Sequence, residues 1–271
     1  MTAPAPRFAG KSVVVTGAAG VFGRWIAAAF AREGASVCLS DNRGDKLDAI
    51  ARDIGLDPAR TLTHATELTS EASIVDLAAT VKKAWGAADF LVNNAGIYPH
   101  AGLLDLPVAE WDRIFDINLR APFLVTRELA KLMIAEKRQG AIVTISSGAA
   151  RQMRNGSVPY CTSKTAVERL TKGLALELAP YKIRVNVVEP GFAPGSDVSP
   201  LSDEYVEKMK QRIPLGRTSG PDDAPGAILY LCSDAASFIT GTVLSVDGGN
   251  SIGTYEPGQL VGALDEAKRT G

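Results

Sequence analysis

Short apolar runs alternate with longer amphipathic segments along most of the chain. The apolar runs, four or five residues long, are predicted as buried strands: Ser12–Thr16, Ser36–Ser40, Thr61–Ala65, Phe90–Asn93, Ala141–Ile145, Arg184–Val188 and Thr242–Val246. The amphipathic segments are predicted as helices: Trp25–Glu33, Asp45–Ile54, Ile74–Trp85, Val108–Lys137 and Pro159–Ala179. Strands separated by helices pair in parallel through right-handed crossovers. We therefore predict an α/β fold: a single-domain Rossmann-type doubly wound parallel sheet of about seven strands, with helices on both faces.

One domain is predicted for residues 1–271, with its core from about 8 to 250. The segment 192–217 carries several prolines and glycines around a helical pattern at Asp203–Gln211, and is predicted as a substrate lid. Residues 251–271 form a distinct C-terminal tail, with a last helix predicted over Gln259–Arg269. The long helix Val108–Lys137 is expected to bend near Pro122.

Composition narrows the class of protein. The chain has 271 residues, 46% of them hydrophobic, and a net charge of −1, which argues against a nucleic-acid partner or an anionic membrane surface. No apolar run approaches the ~20 residues of a membrane helix, and no signal-peptide pattern is present. The three cysteines are scattered and the two histidines lack metal-ligand spacing, so neither a disulfide framework nor a metal site is expected. A cytoplasmic protein is predicted.

A glycine-rich turn, Thr16–Gly23, joins the first strand to the first helix. Glycines at this junction bring backbone N–H groups close to a pyrophosphate, although a plain strand–helix turn has a similar composition. The second strand ends at Asp41, close to the expected offset of an acid that binds the adenosine ribose. A carboxylate there repels a 2′-phosphate, which favours NAD over NADP, whereas the nearby Arg43 could accommodate that phosphate.

A second group of residues could move a proton. Tyr160 and Lys164 lie four residues apart, on one face of a predicted helix. A phenol with its usual pKa of about 10 is a poor base, and a nearby ammonium group lowers that pKa. The pair could therefore exchange a proton with a substrate oxygen, although a solvated helix pair has the same spacing. Ser147 follows the fifth strand, where it could hold that oxygen or cap a turn.

These motifs occur in the order typical of one known family. From about Phe8 to Asn250 the chain resembles the classical short-chain dehydrogenases/reductases. Further matching motifs are Asn93–Gly96, Asp116–Leu119, Pro190-Gly191 and Val246–Gly249. The resemblance implies a catalytic set of Asn118, Ser147, Tyr160 and Lys164. It implies that the cofactor contacts Gly17, Gly20, Phe22, Gly23, Asp41, Glu67, Leu68, Asn94, Ala95, Gly96, Tyr160, Lys164, Pro190, Gly191 and Ser196.

The resemblance also implies a role for each catalytic residue. Tyr160 would be the general acid/base, and Lys164 would lower its pKa and hold the nicotinamide ribose. Ser147 would position the substrate oxygen. Asn118 would bend its helix and keep a water molecule in a proton relay toward Lys164.

The chain departs from the family pattern at three positions. The family usually has glycine where Val21 stands, so we expect a φ below zero and added bulk near the pyrophosphate. The adenine-contacting acid after the third strand is Glu67, one methylene longer than the usual Asp. Gly195 stands where a threonine often binds the carboxamide, and the neighbouring Ser196 is the candidate replacement.

Substrate contacts are predicted from position alone. Arg151 and Arg154 lie in a polar segment after Ser147, where either could bind a carboxylate or phosphate or simply be solvated. Tyr98 and Phe192 are candidate walls of the pocket.

The predicted function is hydride transfer between NAD(H) and a secondary alcohol or ketone, with Tyr160 as the general acid/base. One alternative is a 3-oxoacyl-thioester (acyl-carrier-protein) reductase, which would normally prefer NADP. The other is a catalytically silent NAD-binding regulator. The family resemblance further implies a homotetramer that acts on a small-molecule substrate.

Overall fold

The structure, a computed structural model, describes residues 6–195 and 201–255. Its strands are β1 Ser12–Thr16, β2 Ser36–Asp41, β3 Thr61–Ala65, β4 Phe90–Asn93, β5 Ala141–Ile145, β6 Arg184–Pro190 and β7 Val243–Val246. Its α-helices are α1 Val21–Arg32, α2 Gly44–Asp53, α3 Glu71–Trp85, α4 Val108–Phe115, α5 Ala121–Ala135, α6 Val158–Leu178, α7 Asp203–Gln211 and α8 Asp223–Cys232.

All strands pair in parallel in the order β3-β2-β1-β4-β5-β6-β7. Side chains alternate between the two faces of the sheet, so Val13 and Val15 pack with α1, α2 and α8. Val14 points the other way and packs with α3, α5 and α6. Both faces are therefore covered, and the predicted doubly wound parallel sheet is confirmed. The order reverses between β1 and β4, and ligands bind at the carboxyl ends of strands at such a switch point.

The helices depart from the prediction most clearly at α1 and in the predicted helix Val108–Lys137. Helix α1 begins at Val21, four residues earlier than predicted, because Gly20 in extended conformation serves as its N-cap. The predicted helix Val108–Lys137 is divided into α4 and α5 by a π-helical segment, Asp116–Arg120. The irregularity thus lies just before Pro122 and is centred on Asn118.

Helix α8 was not predicted from the sequence. Pro225 and Gly226 stand in its first turn and hide the helical pattern, although its buried residues Ile228 and Leu229 join the core beside α1. The Arg184 guanidinium donates to the carbonyl oxygen of Leu231 at 2.5 Å and thereby satisfies the end of the helix. Helix α7 has the predicted bounds, whereas the predicted helix Gln259–Arg269 lies outside the described residues.

Within the described part of the chain, no helix combines the length and apolarity needed to cross a membrane.

Candidate active site

The turn between β1 and α1 requires glycine at two positions. Gly17 has a φ of 64°, and a Cβ there would lie 2.7 Å from Cα of Ala95. A Cβ on Gly23 would lie 2.2 Å from the carbonyl oxygen of Gly17. Gly20 has an ordinary φ of −78°. The turn is thus held tightly against the loop that follows β4.

The start of α1 has the properties of an anion site. Val21 is its first residue and has no positive φ, as expected. The first-turn N–H groups have no acceptor within the helix, Gly20 offers no side-chain cap, and no acidic residue stands in that turn. A pyrophosphate fits this end of the helix because it would accept from those N–H groups. Phe22 packs edge-on against Trp25, with ring centroids 5.4 Å apart.

Asp41 lies beside this turn at the end of β2. Its carboxylate is buried and accepts from the backbone N–H of Ala19 at 3.0 Å. Its other oxygen accepts from the backbone N–H of Arg43 at 3.0 Å and from Nε of Arg43 at 3.1 Å. The Arg43 side chain is therefore engaged with the carboxylate.

The loop after β4 connects the turn to the reactive residues. Asn94 donates from Nδ2 to the carbonyl oxygens of Thr16 at 2.9 Å and Gly17 at 3.0 Å. Ala95 donates its N–H to Oγ1 of Thr16 at 3.2 Å. A Cβ on Gly96 would lie 3.3 Å from Nζ of Lys164. Glycine here allows the lysine to approach the backbone.

Asn118 lies in the π-helical segment and is almost fully buried. Its Oδ1 accepts from the N–H of Ile97, and its Nδ2 donates to the carbonyl oxygen of Ile97, both at 2.9 Å. Nδ2 also lies 3.1 Å from Oγ of Ser163, the residue before Lys164. The asparagine therefore fixes the loop after β4 beside the first turns of α6.

Ser147, Tyr160 and Lys164 come together at the carboxyl end of β5. The Ser147 hydroxyl is hydrogen-bonded to the Tyr160 phenol. Lys164 is buried, lies with Nζ 5.9 Å from the centroid of the Tyr160 ring, and donates to the carbonyl oxygen of Ile145 at 2.9 Å. The arrangement places a phenol, a hydroxyl and an amine close together at the carboxyl edge of the sheet.

Burial controls the acidity of both groups. Burial raises the pKa of Tyr160, while the hydrogen bond with Ser147 and the positive charge of Arg154 act in the opposite direction. Burial also lowers the pKa of Lys164 to about 8, because the charged ammonium is poorly solvated there.

The remaining predicted cofactor residues surround the same edge. Glu67 accepts from the N–H of Thr69 at 3.0 Å, and Leu68 packs beside the core. Gly191 follows β6 and donates its N–H to Val246 at 2.9 Å. Pro190 is the last residue of β6, and Ser196 lies outside the described residues.

The predicted substrate residues have different surroundings. Nη2 of Arg151 lies 2.5 Å from Oε2 of Glu189 and 2.6 Å from the hydroxyls of Ser245 and Ser251. The guanidinium is thus engaged by groups of the fold although the side chain is 42% exposed, and a role in binding substrate stays a prediction. Arg154 is exposed and close enough to influence Tyr160.

Two candidate walls lie near these groups. Tyr98 packs edge-on against Tyr160, with ring centroids 6.1 Å apart. Phe192 packs edge-on against Tyr205 of α7 at 6.3 Å, so α7 covers the residue that follows Pro190-Gly191.

Two neighbouring acids, Glu189 and the half-buried Glu168, were missed from the sequence. Glu189 is fully buried, and its Oε1 has no hydrogen-bond partner among the described residues. Glu168 accepts from Oγ of Ser146 at 2.6 Å and pairs with Glu189. Burial and the charge of Glu189 raise the pKa of Glu168 to about 7. One signal was available, since Glu189 is a charged residue at the end of an apolar strand.

Comparisons with known proteins agree with this geometry. A family model described as enoyl-(acyl carrier protein) reductase matches residues 17–251. The 3-oxoacyl-[acyl-carrier-protein] reductase of Thermotoga maritima is 36% identical over 90% of this chain and 98% of its own length. The cis-4-hydroxycyclohexanecarboxylate dehydrogenase of Sinomonas cyclohexanicum is 38% identical over 89% of this chain and 97% of its own.

A solved structure shares the fold. The 7α-hydroxysteroid dehydrogenase complexed with NADH and 7-oxo glycochenodeoxycholic acid is 34% identical, with a TM-score of 0.82 over 90% of this chain and 96% of that one. The chain therefore belongs to the short-chain dehydrogenase/reductase family, whose members are oxidoreductases that act on CH–OH and C=O groups.

Proposed function

We propose that this protein uses NAD(H) to interconvert a secondary alcohol and its ketone, with Tyr160 as the general acid/base. The observation that carries the proposal is the hydrogen bond between the phenol of Tyr160 and the hydroxyl of Ser147, beside buried Lys164. A bound nicotinamide would supply or accept the hydride. The residues of the chain would then have to orient the substrate oxygen and move its proton.

Each residue has a task in that reaction. Ser147 holds the substrate oxygen beside the phenol, and Tyr160 accepts the hydroxyl proton in oxidation or returns it in reduction. Lys164 and Asn118 are held beside the loop after β4, since Gly96 lies against both side chains. The first-turn N–H groups of α1 would bind the pyrophosphate.

The preference for NAD over NADP is supported by Asp41. A buried carboxylate at the end of β2, next to the turn that would bind phosphate, repels a 2′-phosphate. Arg43 is paired with that carboxylate, so its charge is already offset. The alternative 3-oxoacyl-thioester reductase has a relative in Thermotoga maritima, and a strong NADPH preference would favour it. A silent NAD-binding regulator is disfavoured by the complete set of Ser147, Tyr160 and Lys164.

The first experiment measures NADH and NADPH binding by fluorescence and turnover of a panel of sugars, polyols, hydroxy acids and steroids. We expect tighter NADH binding and turnover of one substrate class. Tyr160→Phe should lower kcat by about 10²- to 10⁴-fold, the contribution typical of general acid–base catalysis, while NADH binding stays nearly intact. Retained turnover would remove Tyr160 from the proton role, and binding without any turnover would favour the regulator.

The cofactor preference has its own test. Asp41→Ala should raise the affinity for NADPH relative to NADH, because the repulsion of the 2′-phosphate is removed. Asp53→Ala, an exposed acid at the end of α2, is the matched control and should leave the ratio unchanged. An unchanged ratio in the Asp41 variant would mean that another residue reads the ribose.

The assembly is proposed to be a homotetramer. A surface groove of about 560 Å³ is lined by Phe115, Leu119, Phe123 and Leu170, and Phe123 is 38% exposed. Such apolar helix surfaces are suited to covering by another copy. Light scattering after gel filtration measures the mass, and a monomer would contradict the proposal.

The buried free thiols of Cys38, Cys161 and Cys232 support a reducing compartment, and we propose that the compartment is the cytoplasm. Fractionation of cells tests this proposal.

A further inference from the structure

The loop between β5 and α6 is fixed at both ends. At one end, Arg151 is held by Glu189, Ser245 and Ser251. At the other end, Gly156 has a φ of 72°, and a Cβ there would lie 2.2 Å from the His100 ring. The carbonyl oxygen of Gly156 also accepts from the N–H of Ala101 at 2.9 Å. These contacts hold the middle of the loop in a defined place.

Arg154 lies between these two ends. Its carbonyl oxygen accepts from the N–H of Ser157 at 3.1 Å, which closes a turn immediately before α6. Its side chain is exposed and makes no hydrogen bond or ion pair with residues 6–195 or 201–255. The guanidinium nevertheless acts on the phenol of Tyr160. Arg154 therefore presents unused donors on the turn that leads into α6, and the first turn of that helix carries Tyr160.

The neighbouring groups define what such a cation can bind. Arg151 is three residues away, and its charge is already offset by Glu189. Glu168 and Glu189 lie behind the loop, so a dianion such as a phosphate ester would meet one available cation and nearby acids. A carboxylate carries a single charge and matches the guanidinium through two parallel hydrogen bonds.

The Tyr160 ring also has an exposed aromatic neighbour. Tyr98 is 54% exposed and lies edge-on to Tyr160. An aromatic surface suits a hydrocarbon body between two polar ends.

We propose that the substrate is a hydroxy acid or oxo acid whose carboxylate binds Arg154 while its alcohol or ketone carbon lies at Tyr160. This inference rests on the proposed function and specifies its substrate class. The hydrocarbon part of the substrate lies against Tyr98. Arg154 acts as a specificity-determining residue and takes no part in the proton transfer itself.

The test compares acids with their neutral amides. cis-4-Hydroxycyclohexanecarboxylate, 3-hydroxybutyrate and a 7α-hydroxy bile acid are each assayed with NAD beside the corresponding primary amide. Wild-type enzyme should prefer at least one acid over its amide by about 10- to 100-fold in kcat/KM, the range for a charge-assisted hydrogen bond. Arg154→Gln should remove this preference, mainly by raising KM for the acid, and should change the amide little.

Two further variants separate recognition from folding. Arg154→Lys keeps the positive charge but lacks the planar guanidinium group, so it should retain part of the preference for the acid over its amide. Arg52→Gln changes another exposed arginine, on α2, and should behave like the wild type. An acid preference that survives Arg154→Gln, or an equal loss on acid and amide, would overturn the inference.

Binding provides a readout that does not require turnover. Calorimetry measures cyclohexanecarboxylate and cyclohexanecarboxamide against enzyme saturated with NADH. Tighter binding of the carboxylate, lost in Arg154→Gln, supports the inference even if no alcohol is oxidised. Absence of any carboxylate preference in both assays overturns it, whereas failure to bind NADH or insensitivity to Tyr160→Phe counts against the proposed function.

Discussion

Two arginines three residues apart, on the same loop, have opposite surroundings. Arg151 contacts a fully buried glutamate and two serine hydroxyls from β7 and the segment that follows it. Arg154 is exposed and contacts no acid among the described residues. The first guanidinium joins parts of the fold that are far apart in sequence. The second leaves its donors available to a ligand.

Residue type alone therefore does not show whether an arginine stabilises the fold or binds a ligand. Glu189 is buried and therefore needs a counter-charge, which the fold supplies with Arg151. Among the described residues, no acid that requires a counter-charge contacts Arg154. Substitutions at Arg151 should therefore affect stability, and substitutions at Arg154 should affect the chemistry of the site.

The largest effect is expected from Arg151→Met. Removing the arginine leaves the carboxylate of Glu189 buried without its counter-charge, which costs about 3 kcal/mol of unfolding free energy. This value is at the lower end for a broken buried pair, because Arg151 is itself 42% exposed. Thermal and denaturant unfolding measure the loss, and a fall in Tm of about 6–12 °C is expected.

A matched variant on the same loop sharpens this prediction. Arg154→Met should change stability by no more than about 0.5 kcal/mol, as is usual for exposed residues. Adding Glu189→Gln to Arg151→Met should recover part of the loss, because an amide is cheaper to bury than an unpaired charge. Equal destabilisation by the two arginine variants would contradict the comparison.

The sheet could be predicted closely from the sequence. Every strand lies within two residues of its predicted bounds, because parallel strands buried on both faces are short apolar runs. The helices α1 and α8 were harder to predict. The prediction placed the start of α1 at Trp25 and omitted α8, since Gly20, Pro225 and Gly226 interrupt the periodic pattern.

A candidate catalytic set could also be proposed from the sequence, because its motifs occur in a fixed order along the chain. The contacts that surround each residue of the site could not be predicted from the sequence. Arg151 and Arg154 look alike in a polar loop, and only the return of β6 and β7 brings Glu189 and Ser245 to the first of them. The pairing of Glu168 with Glu189 depends in the same way on contacts between residues distant in sequence.

A smaller effect is expected at the acid pair behind Arg151. The pKa of Glu168 is raised to about 7 by burial and by Glu189, above its ordinary value of 4.5. Between these two pH values the folded state keeps a proton that the unfolded state has released. The free energy of unfolding should therefore fall as pH rises from 4.5 to 7. Glu168→Gln should flatten this fall, as measured by denaturant unfolding at a series of pH values.

The charged and titratable groups around Glu168 determine the pH range over which this measurement reports on its carboxyl group. Glu189, Arg151 and Ser146 face its carboxyl group, and Lys164 titrates above the window because burial lowers its pKa only to about 8. Glu177→Gln, at an exposed acid on the same helix, is the control and should keep the wild-type slope. A Glu168→Gln slope equal to that of the control would mean that the carboxyl group does not hold a proton in the folded state.

The smallest effect concerns the electrostatics of the open site. The charge of Arg154 lowers the pKa of Tyr160, in opposition to the upward effect of burial. Arg154→Gln should therefore move the acidic limb of the kcat/KM profile for alcohol oxidation to higher pH, because phenolate forms later. A neutral alcohol is the substrate of choice, since its own binding does not depend on the arginine. The control variant Arg52→Gln should leave the pH profile of kcat/KM unchanged. If the acidic limb does not shift in Arg154→Gln, the guanidinium is too far from the phenol, or too well screened by water, to change the pKa of Tyr160.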